Sequence, residues 1–185
     1  ASDVLGGWLR EQPSMNVFAG IPDACMRATG RLADRVVDGA VWVLGVEHPR
    51  VAFGLTQAGG VRSIVSVERN MWNAFSDLGE APALVMVPNL IEWMSDHQAV
   101  VLLSSLRSIL RPGGKVVVST LGPSSDAVFL DCFLRWMTHR RNSEQLLKLF
   151  VQSGLEVVLE ASAPEPGVVV IGQDQMEATS GDLGV

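Results

Sequence analysis

The sequence predicts an α/β fold built on a mostly parallel sheet with helices on both faces. Three observations predict it. Ala83-Leu84-Val85-Met86-Val87 is a continuous apolar run bounded by Pro82 and Pro88, as suits a strand buried on both sides. From His97 to Leu110 the apolar residues Val100, Val101, Leu103, Leu106, Ile109 and Leu110 recur at helical spacing, so one stripe faces a core. Arg111-Pro112-Gly113-Gly114 then stops that helix, and Lys115-Val116-Val117-Val118-Ser119 begins a second buried strand. Strand, helix, tight glycine turn and strand form a right-handed βαβ unit.

The bulk composition sets the outer bounds. A chain of 185 residues fits one domain with a sizeable core, and 48% hydrophobic against 18% charged residues excludes disorder. The apolar runs are strand-length and broken by Gly, Pro or charge, so no membrane span is expected. A net charge of −6 argues against general nucleic-acid binding. The local exception is Arg135, His139, Arg140, Arg141 and Lys148, which reads either as a solvated helix terminus or as an anion or RNA site; the first reading is preferred. Cys25 and Cys132 fall in helix-like segments without metal spacing and read as reduced, buried thiols. With no basic-apolar-small pattern in the first thirty residues, an intracellular setting is expected, in the cytoplasm or an organelle interior.

Taken in order, residues 2–11 and 22–37 read as two helices, the second opened by Pro22-Asp23 and given an apolar side by Met26, Leu32, Ala33, Val36 and Val37. Ala40 to Leu44 is the first strand. A helix from Pro49 to Ala58 ends at Gly59-Gly60, and Val61 to Val67 is the second strand. Asn70 to Leu78 makes one more helix before the central unit, whose own helix has Ser95 or Asp96 as N-cap. After it, Ser124-Ser125-Asp126 caps a helix from Ala127 to about His139, apolar on much of its circumference. Asn142-Ser143 caps another helix through Val151, and Leu155–Leu159 and Gly167–Ile171 are the last strands. Residues 1–172 thus read as a single domain, 1–38 its N-terminal helices and 40–172 its α/β core, with 173–185 a loose tail.

Two strings carry a family resemblance. Leu106 to Ser119, Leu-Arg-Ser-Ile-Leu-Arg-Pro-Gly-Gly-Lys-Val-Val-Val-Ser, closely resembles the approach to the fifth strand of class I S-adenosylmethionine (SAM) dependent methyltransferases. Val87-Pro88-Asn89-Leu90-Ile91-Glu92-Trp93 is similar to that family's segment after its fourth strand, where Asn and then Glu-His are common. The resemblance implies a Rossmann-like sandwich with an antiparallel C-terminal strand, and SAM as cofactor if the chain is active. The residues between Glu68 and Ala83 are too few for the family's third strand, which is expected to be missing together with the acid that bonds adenine.

The same resemblance supplies the site residues. Gly45, Glu47, Glu68 and Asn89 are carried over as cofactor-binding positions, Glu68 as the acid that bonds the ribose hydroxyls. In the family the first strand opens into a Gly-x-Gly-x-Gly loop, whose glycines admit positive φ and a close backbone approach. Here Gly45-Val46-Glu47-His48-Pro49 keeps only the first glycine, with Glu47 and Pro49 in the other two places. Trp72 or Phe75 would stack on a base or pack in the core. Trp93 stands where a histidine is common, and an indole cannot take a proton. His97 lies one helical turn on, as a substitute base or as a solvent-facing residue.

No catalytic residue is assigned, and no metal site is expected. Two functions follow. In the first, the chain is degenerate in SAM binding and serves as a non-catalytic structural, assembly or regulatory subunit with a protein partner. In the second, it is an active methyltransferase on a small-molecule or protein acceptor.

Overall fold

A computed structural model describes residues 39–44, 61–67, 80–133, 135, 137–161 and 167–174. The expected helices over 2–11, 22–37, 49–58 and 70–78 lie outside these residues, as do Gly45, Glu47 and Glu68. So do residues 68–79, where a further strand would have to arise.

Six strands form one sheet in the order β2-β1-β3-β4-β6-β5. β1 (Gly39–Leu44), β2 (Val61–Val67), β3 (Leu84–Val87) and β4 (Lys115–Leu121) run parallel, in register from Leu84 opposite Lys115 to Val87 opposite Val118. β5 (Leu155–Ala161) and β6 (Gly167–Asp174) form an antiparallel pair, and β6 inserts against β4. The mostly parallel sheet and antiparallel C-terminal hairpin are those expected, with β6 three residues longer than the apolar pattern marked.

All four residues of β3 are buried, which is why its sequence lacks the alternation of a half-exposed strand. On one face, Trp42, Leu44, Val85, Val87, Val116 and Val118 pack against Leu102, Leu103 and Leu106 of helix α1 (Asp96–Ile109) and Leu146, Leu149 and Phe150 of helix α3 (Ser143–Ser153). Val41, Met86 and Val117 are equally buried on the other face. Ser95 is the N-cap of α1 and shares a capping box with Gln98; Asn142 and Gln145 do the same for α3. Gly154 closes α3 at φ 77°, where an added Cβ would collide with the Arg107 guanidinium.

Three expectations are corrected. Helix α2 runs only from Ala127 to Phe133, not to His139. Arg135 adopts φ 53°, which no helix continues, and the chain turns back: the His139 N–H donates to the Glu92 carbonyl (2.6 Å) and the Arg141 N–H to the Leu121 carbonyl (2.9 Å). The basic cluster is therefore not a solvated helix terminus. Arg141 is 3% exposed and Arg140 is partly buried, while Arg135, His139 and Lys148 are exposed, Lys148 paired with Glu144. Cys132 is exposed rather than buried, because so short a helix turns an outer side to solvent. Among the described residues, no helix is long and apolar enough to cross a membrane.

Candidate functional site

In an open parallel sheet the crevice lies beyond the carboxyl ends of the strands, here Leu44, Val67, Val87 and Leu121. Among the described residues, two loops lie at that edge: residues 88–95 after β3, and residues 122–142, including α2, after β4.

The loop after β3 turns at Asn89, which sits at φ 51°, a left-handed conformation that asparagine tolerates better than most residues. Its N–H donates to the Ser119 hydroxyl of β4 at 3.2 Å, tying the two strand ends together. The side chain is buried, and neither its carboxamide oxygen nor its nitrogen has a hydrogen-bond partner among the described residues. The Thr120 hydroxyl on β4 is buried and unpartnered in the same way. Each such group costs about 1–3 kcal/mol in lost hydration.

One 3-10 turn, Ile91–Trp93, follows. Glu92 in its middle is 0% exposed, and both carboxyl oxygens lack a partner among the described residues. Burial pushes its pKa up from 4.5 to about 7, with its own backbone and the Arg141 guanidinium offsetting part of that rise. Glu92 therefore holds a proton up to neutral pH.

Arg141 braces the turn from the other loop. Its Nη1 donates to the Ile91 carbonyl (2.7 Å) and the His139 carbonyl (3.3 Å), and its Nη2 donates to the Met94 carbonyl (2.7 Å). Nε and Nη2 reach Asp96 Oδ1 at 2.9 and 2.8 Å. A guanidinium has five N–H donors, and every one is committed. None goes to Glu92.

Of the positions expected to bind cofactor, Asn89 is at the carboxyl edge, and Gly45, Glu47 and Glu68 lie outside the described residues. Trp93 is 46% exposed beside Glu92, and His97 is exposed in the first turn of α1. Among the described residues no group of three His, Cys, Asp or Glu is placed to hold a metal. The sequence reading missed Glu92, Thr120 and Arg141 as parts of one edge. The only signal was an acid directly after a buried strand and its turn; its brace lies 50 residues away.

No protein-family model and no curated protein matches the sequence. Solved structures do. The pyocyanin biosynthetic protein PhzM superposes with a TM-score of 0.59 at 16% identity, over 82% of this chain and 55% of its own. Magnesium protoporphyrin IX methyltransferase from Synechocystis, with bound SAH, gives 0.58 at 12% identity, over 83% of both chains. An O-methyltransferase family protein from Burkholderia thailandensis gives 0.58 at 18% identity, over 90% of this chain and 64% of its own. The chain thus spans little more than half the length of PhzM, and at such identities the likeness speaks for the fold. The chain has the Rossmann-like fold of the class I SAM-dependent methyltransferases.

Proposed function

We propose that this chain is a methyltransferase-fold protein retired from chemistry, serving as a structural, assembly or regulatory subunit. The observation that supports this reading is the burial of the polar side chains that follow β3. Glu92 is 0% and Asn89 5% exposed, so among the described residues these side chains are covered by protein rather than open to solvent. The sequence of the loop supports the same reading, with Glu47 and Pro49 where the family keeps glycines.

A retired enzyme needs a surface that takes over its role. Trp93, Val128 and Met137 stand 46%, 72% and 82% exposed on the loops after β3 and β4, which supports docking of a protein partner. The net charge of −6 points that partner away from nucleic acid.

One observation favours a second reading, an active SAM-dependent methyltransferase on a small-molecule or protein acceptor. Asn89, Glu92 and Thr120 keep unpartnered polar atoms where ligands bind in such sheets, and an opened edge would give them partners. SAM supplies the reactive methyl in such enzymes, so the protein's work is orientation, and a lone general base is not obligatory.

Calorimetric titration of the full chain with SAM and with S-adenosylhomocysteine separates the readings. No heat at millimolar ligand is the expected result. Micromolar binding of either overturns the retired reading and leaves the second.

A further inference from the structure

The two loops at the carboxyl edge are held together by one side chain. Arg141, from the loop after β4, grips the carbonyls of Ile91 and Met94 on either side of Glu92, while the His139 N–H takes the Glu92 carbonyl itself. Arg141 and Asn89 also tie both loops to the end of β4, through the Leu121 carbonyl and the Ser119 hydroxyl. At the centre of this clip lies a carboxyl group that takes part in none of its bonds.

We propose that Glu92 is the proton-operated release of this clip: protonated, it leaves Arg141 free to hold the loops together; ionised, it draws the guanidinium off the Ile91 and Met94 carbonyls, and the loops part. The proton leaves to bulk water, and no other covalent bond is made or broken. Two kinds of acceptor compete for the guanidinium. Its bonds to neutral carbonyls are charged on the donor side alone, whereas a carboxylate adds the attraction of a full opposite charge, which is strong where water is excluded. A buried carboxylate without partners is itself costly, so the ionised group either captures Arg141 or escapes to water. Both routes break the same bonds.

The surrounding charges set the direction. Asp96, at the first turn of α1, already competes for Arg141, but its side chain is 76% exposed and its pull is screened by solvent. The N-terminus of α1 favours the ionised form. On the returning segment, His139 is exposed and Arg140 hydrogen-bonds Ser124 and lies 3.9 Å from Asp131, with Asp126 also bonded to Ser124. Asn89, Ser119 and Thr120 face the turn uncharged. Glu92 and Asp126 are the buried carboxyl groups of the described loops; Asp126 accepts from the Ser124 hydroxyl, whereas Glu92 has its midpoint raised close to neutral pH by burial. The release works whether or not a cofactor binds, so it stands apart from the retired reading.

Amide hydrogen exchange of His139 and Arg141 in the full chain, followed by NMR from pH 5.5 to 8.5 and corrected for intrinsic rates, tests it. Protection of both amides is expected to fall about tenfold or more through neutral pH, one pKa unit being a factor of ten. Glu92→Gln is expected to hold protection level across the range, and His139→Gln to keep the wild-type fall. A level wild-type profile, a fall that persists in Glu92→Gln, or a fall abolished by His139→Gln overturns the proposal. Should Glu92→Gln fail to fold, the Glu92 carboxyl carbon is titrated in the wild type. A midpoint near 7 shared with the two amide signals supports the release; a carboxyl that titrates without moving them overturns it.

Discussion

Glu92 is where the chemistry of single residues bears hardest on the whole. Its pKa is raised from 4.5 in the unfolded chain to about 7 in the fold, so its contribution is fully present below pH 4.5 and is lost as pH rises towards 7. The loss comes to about 3 kcal/mol. Glu92→Gln keeps the shape without the titration. Urea denaturation of the two proteins at matched pH is expected to show the variant gaining on the wild type by about 2–3 kcal/mol between pH 5 and 8. A difference that stays constant with pH would place the carboxyl in water. Thr120 offers a second test, because its buried hydroxyl has no partner among the described residues. Thr120→Val removes the orphaned group at nearly constant volume and is expected to be neutral or stabilising by about 1 kcal/mol in the same assay. A loss of that size would mean the hydroxyl is satisfied.

At the scale of elements, the fold was legible where the cause is local. The apolar run at 61–67 became β2 without adjustment, and the periodic segment from His97 became α1 within a residue at each end, fixed by the Ser95 cap and the glycine turn. The helix after β4 was misjudged for the opposite reason. Trp136 and Met137 continue its apolar pattern in sequence, but the chain there obeys distant partners, the carbonyls of Glu92 and Leu121, and Arg135 bends to φ 53° to reach them. The site divides the same way. The sequence places Asn89 directly after a buried strand, whereas the brace of Arg141 on Ile91 spans 50 positions and leaves no local trace. Backbone conformation gives a paired test with opposite signs. Arg135→Gly relieves a left-handed non-glycine residue and is expected to stabilise by about 0.5–1 kcal/mol. Gly154→Ala forces a side chain into φ 77° against Arg107 and is expected to cost more than about 1 kcal/mol. Thermal unfolding of the two variants beside the wild type reads both.

For the molecule as a whole, the proposed retirement from chemistry turns on whether a feature of the carboxyl edge obstructs a nucleoside ligand. The described strands run in the order β2-β1-β3-β4-β6-β5 with an antiparallel C-terminal hairpin, and four parallel strands present their carboxyl ends along one edge. The proposed reading names two candidate obstructions: side chains in place of the loop glycines at Glu47 and Pro49, and the buried turn that holds Asn89 and Glu92. They are separable. Restoring the loop with Glu47→Gly and Pro49→Gly returns backbone N–H groups that a ligand can reach, each worth about 1 kcal/mol, or several-fold in affinity. If the loop is the obstruction, calorimetry on the double variant is expected to show SAM binding at least about tenfold tighter than in the wild type. If the clip is the obstruction, the double variant stays silent at pH 6, and heat emerges only at pH 8 and above, where Glu92 is ionised and the loops part. Silence at both pH values would locate the loss in neither feature, and would leave the sheet a scaffold whose partners meet it elsewhere.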